Sequence, residues 1–174
     1  MFEKELAISR WQLSQFERVV ADLDDDVFFS PGLGHDKSPA WIVGHLALAA
    51  DQGRQALQPE VETSLDSALF GAGTSGRLER SCGLGRDLLC ATLRASYEQL
   101  HEAAADADFD VLGRPHECEL FAATPIETVM DLTAYLLTSH FATHLAQLSI
   151  CRRAIGRSTL VPDGARGDAS TCAL

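Results

Sequence analysis

The stretch from residue 124 to residue 156, TPIETVMDLTAYLLTSHFATHLAQLSICRRAIG, decides the fold. Its spacing predicts one long helix with both ends marked. Thr124 reads as the N-cap, Pro125 takes the first helical position, and Glu127 completes a capping box. Gly156 supplies a left-handed stop, with Arg152 and Arg153 placed where cations favour the C-terminal end of the dipole. Between those ends Ile126, Met130, Thr133, Leu137, His140, His144, Leu148, Cys151 and Ile155 recur every three or four residues. Such a recurrence draws one inward stripe down the helix. Two imidazoles therefore stand in the middle of a mostly apolar stripe, one turn apart. Polar rings in a core need partners.

Working outward from that helix, three more amphipathic stretches precede it. The first spans residues 2 to about 23, with Leu6, Leu13, Phe16, Val20 and Leu23 on one face and Glu3, Lys4, Arg10 and Glu17 elsewhere. The second opens at Ser38-Pro39, an N-cap followed by a first-turn proline, and runs to about residue 58. Its inward set is Ile42, His45, Leu46, Ala49 and Ala56, so His45 is a further imidazole in an apolar stripe. The third covers about 85 to 105, with Leu89, Leu93, Ser96, Leu100 and Ala104 inward. No run alternates with the period of a strand. Four amphipathic helices, each with an inward face, predict an all-α four-helix bundle with long crossover loops.

The connections carry weaker signals. Asp22, Asp24, Asp25 and Asp26 precede a Pro-Gly-Leu-Gly turn; they lack the spacing and the closing Glu of a calcium loop and read as a solvated helix end. Residues 59–83 read as loop. Gly71 to Gly76, GAGTSG, formally contains G-x-G-x-x-G, but no strand precedes it and no βαβ unit surrounds it, so it does not mark a dinucleotide site. Residues 106–123 form a second connection with the cluster His116-Glu117-Cys118-Glu119. The domain is expected over 1–156, with 157–174, rich in Gly, Ser, Thr and Asp, as a poorly ordered tail.

A chain of 174 residues is long enough to bury one substantial core. Its formal charge of −11, from 25 acidic and 14 basic residues, lacks the positive field that nucleic acid or anionic membrane requires. No apolar run approaches the roughly 20 residues that span a bilayer. The N-terminus has no signal-peptide core, so a cytoplasmic location is expected. Cys82, Cys90, Cys118, Cys151 and Cys172 are scattered, without a C-x-x-C pair, which offers neither a disulfide framework nor a zinc ribbon.

Three of the six histidines thus fall on inward stripes, two of them at His-x-x-x-His spacing. Two uses of such rings are open: hydrogen-bonded core residues, or ligands to a metal. For the second, His140 and His144 meet at one point, His45 completes a facial set, and positions remain for water or substrate. Three neutral nitrogens suit zinc, nickel, iron or copper better than magnesium or calcium. Phe141 stands where H-E-x-x-H needs its general-base glutamate, so zinc-protease chemistry is not expected.

The segment SPAWIVGHL around His45, together with HFATHLAQ from His140 to Gln147 and the ending CRRAIG at Gly156, resembles the DinB/YfiT-like superfamily. Members are bacterial four-helix bundles with a histidine on the second helix and a His-x-x-x-His on the fourth. The resemblance covers about residues 2–156. It implies a divalent metal at His45, His140 and His144, with zinc or nickel expected ahead of iron, and a homodimer. It also implies a function, the transfer of a low-molecular-weight thiol of the bacillithiol or mycothiol type to a small electrophile, or a related hydrolysis. The alternative is a non-catalytic bundle that binds a metal or small ligand as a dimer. Gln147 matches a glutamine common in the family; orienting a ligand and touching substrate are open to it, and a helix–helix hydrogen bond is the expected use. His35 and His116 are expected as surface histidines able to approach the open side of the metal, His101 as a favourable group at a helix C-terminus, and Cys151 as a small buried hydrophobe.

Overall fold

A computed structural model describes residues 1–32 and 35–157. Leu33 and Gly34 of the expected turn, and residues 158–174 of the expected tail with Cys172, lie outside the described residues. The chain is all-helical, with no strand among the described residues; one isolated bridge pairs Pro115 with Thr128.

Helix α1 (Glu3–Ala21) turns Leu6, Leu13, Phe16 and Val20 inward, as their three- and four-residue spacing dictates. The acidic run that follows is more than a solvated end. Asp24 caps a short helix, α2 (Asp25–Phe29), by accepting the Val27 amide at 2.9 Å. Phe28 then anchors that turn in the core with no exposed surface. Helix α3 (Pro39–Leu57) starts where Ser38 and Pro39 predict, the Ser38 hydroxyl accepting the Trp41 amide at 3.2 Å. Its burial is wider than one stripe. Trp41, Val43, Ala47 and Leu48 are as enclosed as Ile42 and Leu46, because helices pack against it on several sides.

The two expected loops contain helical turns of their own. In the first, α4 (Ser67–Phe70) is capped by Asp66 and followed by a 3₁₀ turn, Arg80–Cys82. The glycine-rich run between them is spent on turns, Gly73 and Gly76 taking positive φ of 85° and 73°. Helix α5 (Arg86–Ala105) buries Leu89, Leu93, Ser96, Leu100 and Ala104 along α3. In the second connection come α6 (Phe109–Leu112) and the 3₁₀ turn Glu119–Phe121.

The long final helix departs from prediction in two ways. It begins at α7 (Val129–Tyr135), and its N-cap is Thr128, not Thr124. Thr128 and Asp131 form the capping box: the Thr128 hydroxyl accepts the Asp131 amide at 3.2 Å, and the Asp131 carboxylate accepts the Thr128 amide at 3.0 Å. Thr124 instead closes a local turn, donating its hydroxyl to the Phe121 carbonyl at 2.9 Å. The residues between are held out of the helix by tertiary pairing. His116 N–H donates to the Glu127 carbonyl, and Val129 N–H to the Arg114 carbonyl.

The second departure is a π-helical turn, Leu136–His140, before α8 (Phe141–Ala154) resumes. An inserted residue shifts the register, so one straight stripe cannot describe both halves. Met130 and Ile155, expected inward, face solvent, while Leu132, Leu136 and Phe141 are buried. The widened turn leaves carbonyls that neighbours satisfy: Gln12 Nε2 donates to Thr138 at 3.3 Å and the Tyr97 hydroxyl to Leu136 at 3.4 Å. At the far end Gly156 adopts the expected left-handed conformation, φ 79°. Arg152, only 7% exposed, is an ion-pair partner of Asp22, with Nε at 2.9 Å, and joins the ends of α8 and α1.

Candidate metal centre

Helix α3, the π turn and α8 bring three imidazoles together. His45 Nε2 lies 3.2 Å from His140 Nε2. Ring centroids are 4.7 Å apart for His140 and His144, 4.8 Å for His45 and His144, and 5.2 Å for His45 and His140. One nitrogen from each ring lies within 4.8 Å of the others, a cluster that can hold a metal ion. All three sequence-predicted ligands therefore meet at one place. The π turn is part of the reason, since it ends on His140 and sets the rotation at which α8 presents His144.

The outward nitrogens are fixed by acceptors. His45 Nδ1 donates to the Phe70 carbonyl at 2.7 Å, and His144 Nδ1 to Gln147 Oε1 at 2.8 Å. A carbonyl only accepts, so each Nδ1 carries the proton and each Nε2 keeps a lone pair. Trp41 holds His45 from the side, its ring stacked at 4.7 Å and 9°. The indole N–H is itself tied to the Leu69 carbonyl at 3.0 Å and the Thr74 hydroxyl at 2.9 Å. The first connection thus supplies the acceptor for His45 and ties down the Trp41 ring that braces it.

Burial keeps the rings neutral. It lowers His140 to about 3, with His144 and His45 adding repulsion, and lowers His144 to about 4, with His45 next in effect. His45 is lowered as well, again mainly by burial. Neutral imidazole is the form that binds metal at pH 7. The set passes a simple test of fit. A tetrahedral zinc with bonds of about 2.0–2.1 Å places its nitrogens roughly 3.3 Å apart, close to the His45–His140 pair. Without a cation, one proton between those two rings satisfies a single pair and leaves a lone pair on His144 Nε2. The buried His140 Nδ1 has no hydrogen-bond partner among the described residues. The three rings form a cluster that can hold a cation.

The remaining candidates land differently from expectation. Among the described residues the Gln147 amide makes no helix–helix hydrogen bond; it orients His144 on its own helix. His116 is no mobile surface group. It is half-buried, with Nε2 donating to the Ile126 carbonyl at 2.7 Å and Nδ1 accepting the Cys118 amide at 3.1 Å, so both nitrogens are spent on local structure. His35 is also half-buried, its Nε2 3.4 Å from the Gln147 carbonyl and 3.5 Å from Cys151 Sγ. His101 does not serve the helix dipole as a cation. It is 4% exposed, bonds Ser9 Oγ at 2.8 Å, and burial lowers it to about 4. Cys151 is buried as expected, and burial raises its thiol.

Beside the histidines opens a cavity of about 640 Å³. His45 and His140 form part of its wall, and Leu48, Leu132, Leu136 and Phe121 give it an apolar lining. Residues 114–118 complete the wall from the second connection. Sequence reasoning missed Phe70, Trp41 and Thr74 as supports of the site. One signal was present: Gly44, a glycine inside a helix and next to His45, has a packing reason. A Cβ there would meet the Phe70 ring at 2.2 Å, so only glycine lets Phe70 approach closely enough to hold His45. No protein-family model matches this chain, and a search of curated proteins finds no similar one.

Proposed function

We propose that this chain is a four-helix bundle of the DinB/YfiT-like kind. In this reading His45, His140 and His144 bind one divalent ion, zinc or nickel ahead of iron, and the site transfers a low-molecular-weight thiol to a small electrophile. The observation that carries the proposal is the convergence of three neutral imidazoles, two with the outer nitrogen tied to a carbonyl, of which His45 and His140 line a cavity of about 640 Å³. That arrangement supports a site with protein ligands on one side and room for a small molecule on the other. The order of the four long helical segments, with the ligands on the second and the last, supports the family reading.

A divalent ion bound there supplies Lewis acidity, which lowers the pKa of a thiol toward neutrality. The chain's own residues do the rest. Phe70 and Gln147 hold His45 and His144 in the tautomer that presents Nε2, so neither of these two rings has to move a proton when the site fills. Trp41 keeps His45 from rotating. Leu48, Leu132 and Leu136 offer apolar surface to the carbon skeleton of the electrophile, which positions it against the sulfur. The functional unit is a homodimer in this reading.

Metal content measured by mass spectrometry on untagged protein tests the proposal, alongside a His140→Ala, His144→Ala double variant. About one ion per wild-type chain, absent from the variant, is expected. Thiol transfer to a chromogenic electrophile, dependent on that ion, then separates an enzyme from a binding protein. Metal-free wild-type protein whose melting temperature stays fixed on adding zinc or nickel overturns the site, since saturating ligand raises stability by about 2.7 kcal/mol at a hundredfold excess over Kd.

A further inference from the structure

Segment 114–118 forms one wall of the cavity and is held as a rigid strap. Val129 N–H donates to the Arg114 carbonyl at 2.9 Å, Pro115 bridges Thr128, and His116 N–H donates to the Glu127 carbonyl at 3.3 Å. The His116 ring locks the bend by bonding Ile126 and Cys118. The strap is therefore fixed to the start of α7, the same helical run that carries His140 and His144. Its position relative to the imidazoles is set by backbone bonding, not by loose side chains.

Three other residues of the strap line the cavity, Arg114, Glu117 and Cys118, the first two of them exposed to solvent. Among them Arg114 is the one cation of the lining, in a chain of net charge −11. No carboxylate among the described residues pairs with it. Its only described side-chain bond is a long one, from Nε to the Val111 carbonyl at 3.5 Å, which leaves both terminal amino groups to a ligand. Glu117, three residues on and facing the same cavity, forms no ion pair with it within the described residues. Arg114 is exposed at the rim of this apolar cavity, where its free amino groups can meet an anion. A fork of N–H donors fits a carboxylate bidentately. The Glu117 carboxylate opposes a higher charge, which favours a monocarboxylate over a phosphate.

Resting on the metal-site reading above, we infer that the cavity takes a small molecule with one carboxylate, held by Arg114 at the strap while its reactive end lies toward His45 and His140. Arg114 is a specificity-determining residue in this view, and the ligand is read at both ends of the cavity.

The test compares two thiols of similar size, 3-mercaptopropionate and neutral 2-mercaptoethanol, on cobalt(II)-loaded protein, followed by thiolate-to-cobalt charge-transfer absorption. Wild type is expected to bind the carboxylate thiol about tenfold more tightly. Arg114→Gln should abolish that preference and leave the affinity for 2-mercaptoethanol unchanged, and Arg114→Lys should keep part of it. Equal affinities in wild type, or a preference that survives Arg114→Gln, overturns the inference. A parallel arm on metal-free protein uses butyrate, 1-butanol and inorganic phosphate, read by NMR shifts of the cavity residues. Arg114-dependent preference for butyrate here, with no cobalt bound in the first arm, retains the carboxylate site and removes the metal reading. A preference for phosphate over butyrate overturns the assignment to a carboxylate.

Discussion

Removing the amide of Gln147 should loosen the metal without harming the helix. Gln147 Oε1 lies 2.8 Å from His144 Nδ1, and His144 is 5% exposed, so water does not readily replace the bond. Gln147→Leu removes the amide and has a similar helix propensity, so α8 itself is not weakened. The contact from His35 reaches the backbone carbonyl of Gln147 and survives the substitution. What changes is the buried His144 N–H, which loses its acceptor. In metal-free protein that costs about 1–3 kcal/mol of stability. In metal binding, loss of such an outer partner costs about 10–100-fold in affinity, or roughly 1.4–2.7 kcal/mol. Gln147→Glu, which offers a charged acceptor, should hold or raise the affinity. Competition for zinc against a chromophoric chelator, with urea unfolding of the metal-free forms, measures both quantities. Zinc affinity of Gln147→Leu within twofold of wild type would refute the role, even if stability fell, because Gln147 would then be structural only.

Three further outcomes can be checked by unfolding. Gly44→Ala places a Cβ 2.2 Å from the Phe70 ring and should cost about 1–3 kcal/mol in urea unfolding; it should also weaken metal binding, because Phe70 carries the carbonyl that holds His45. Thr128→Ala should cost about 1 kcal/mol by removing the capping box, and Thr124→Ala clearly less; the reverse order would restore Thr124 as the cap. His101 is held down to about 4 against roughly 6.5 in the unfolded chain. The unfolded state therefore takes up a proton first as pH falls, so stability is full above pH 6.5 and declines toward pH 4. Wild type should lose up to roughly 1.4 kcal/mol per pH unit more than His101→Gln in that window, and parallel slopes would exclude His101 as the source.

Much of the site was legible because ligand spacing is a local property. His140 and His144 lie one turn apart on any helix, and His45 shares a stripe with Ile42 and Leu46, so their convergence needs only that two apolar faces meet. Gln147 was misjudged because its partner is on its own helix, where three rotatable bonds decide between reaching back and reaching across. His116 and His35 read as surface groups because their acceptors, the carbonyls of Ile126 and Gln147, are backbone atoms that no residue pattern announces.

By itself the sequence determined the all-helical class, the start of α3 at Ser38-Pro39, the end of α8 at Gly156 and the three imidazoles of the cluster. These follow from periodicity, capping chemistry and the conformational freedom of glycine, which act over a few residues. Only the tertiary structure decided the rest. The final helix starts at Thr128 because strap 114–118 competes for the backbone before it, and its stripe breaks at the π turn, where Gln12 and Tyr97 donate to the Thr138 and Leu136 carbonyls from other helices. The Phe70 carbonyl reaches His45 across 25 residues because Gly44 leaves room for its ring. Each of these outcomes rests on a contact between distant parts of the chain, where local preference sets no winner.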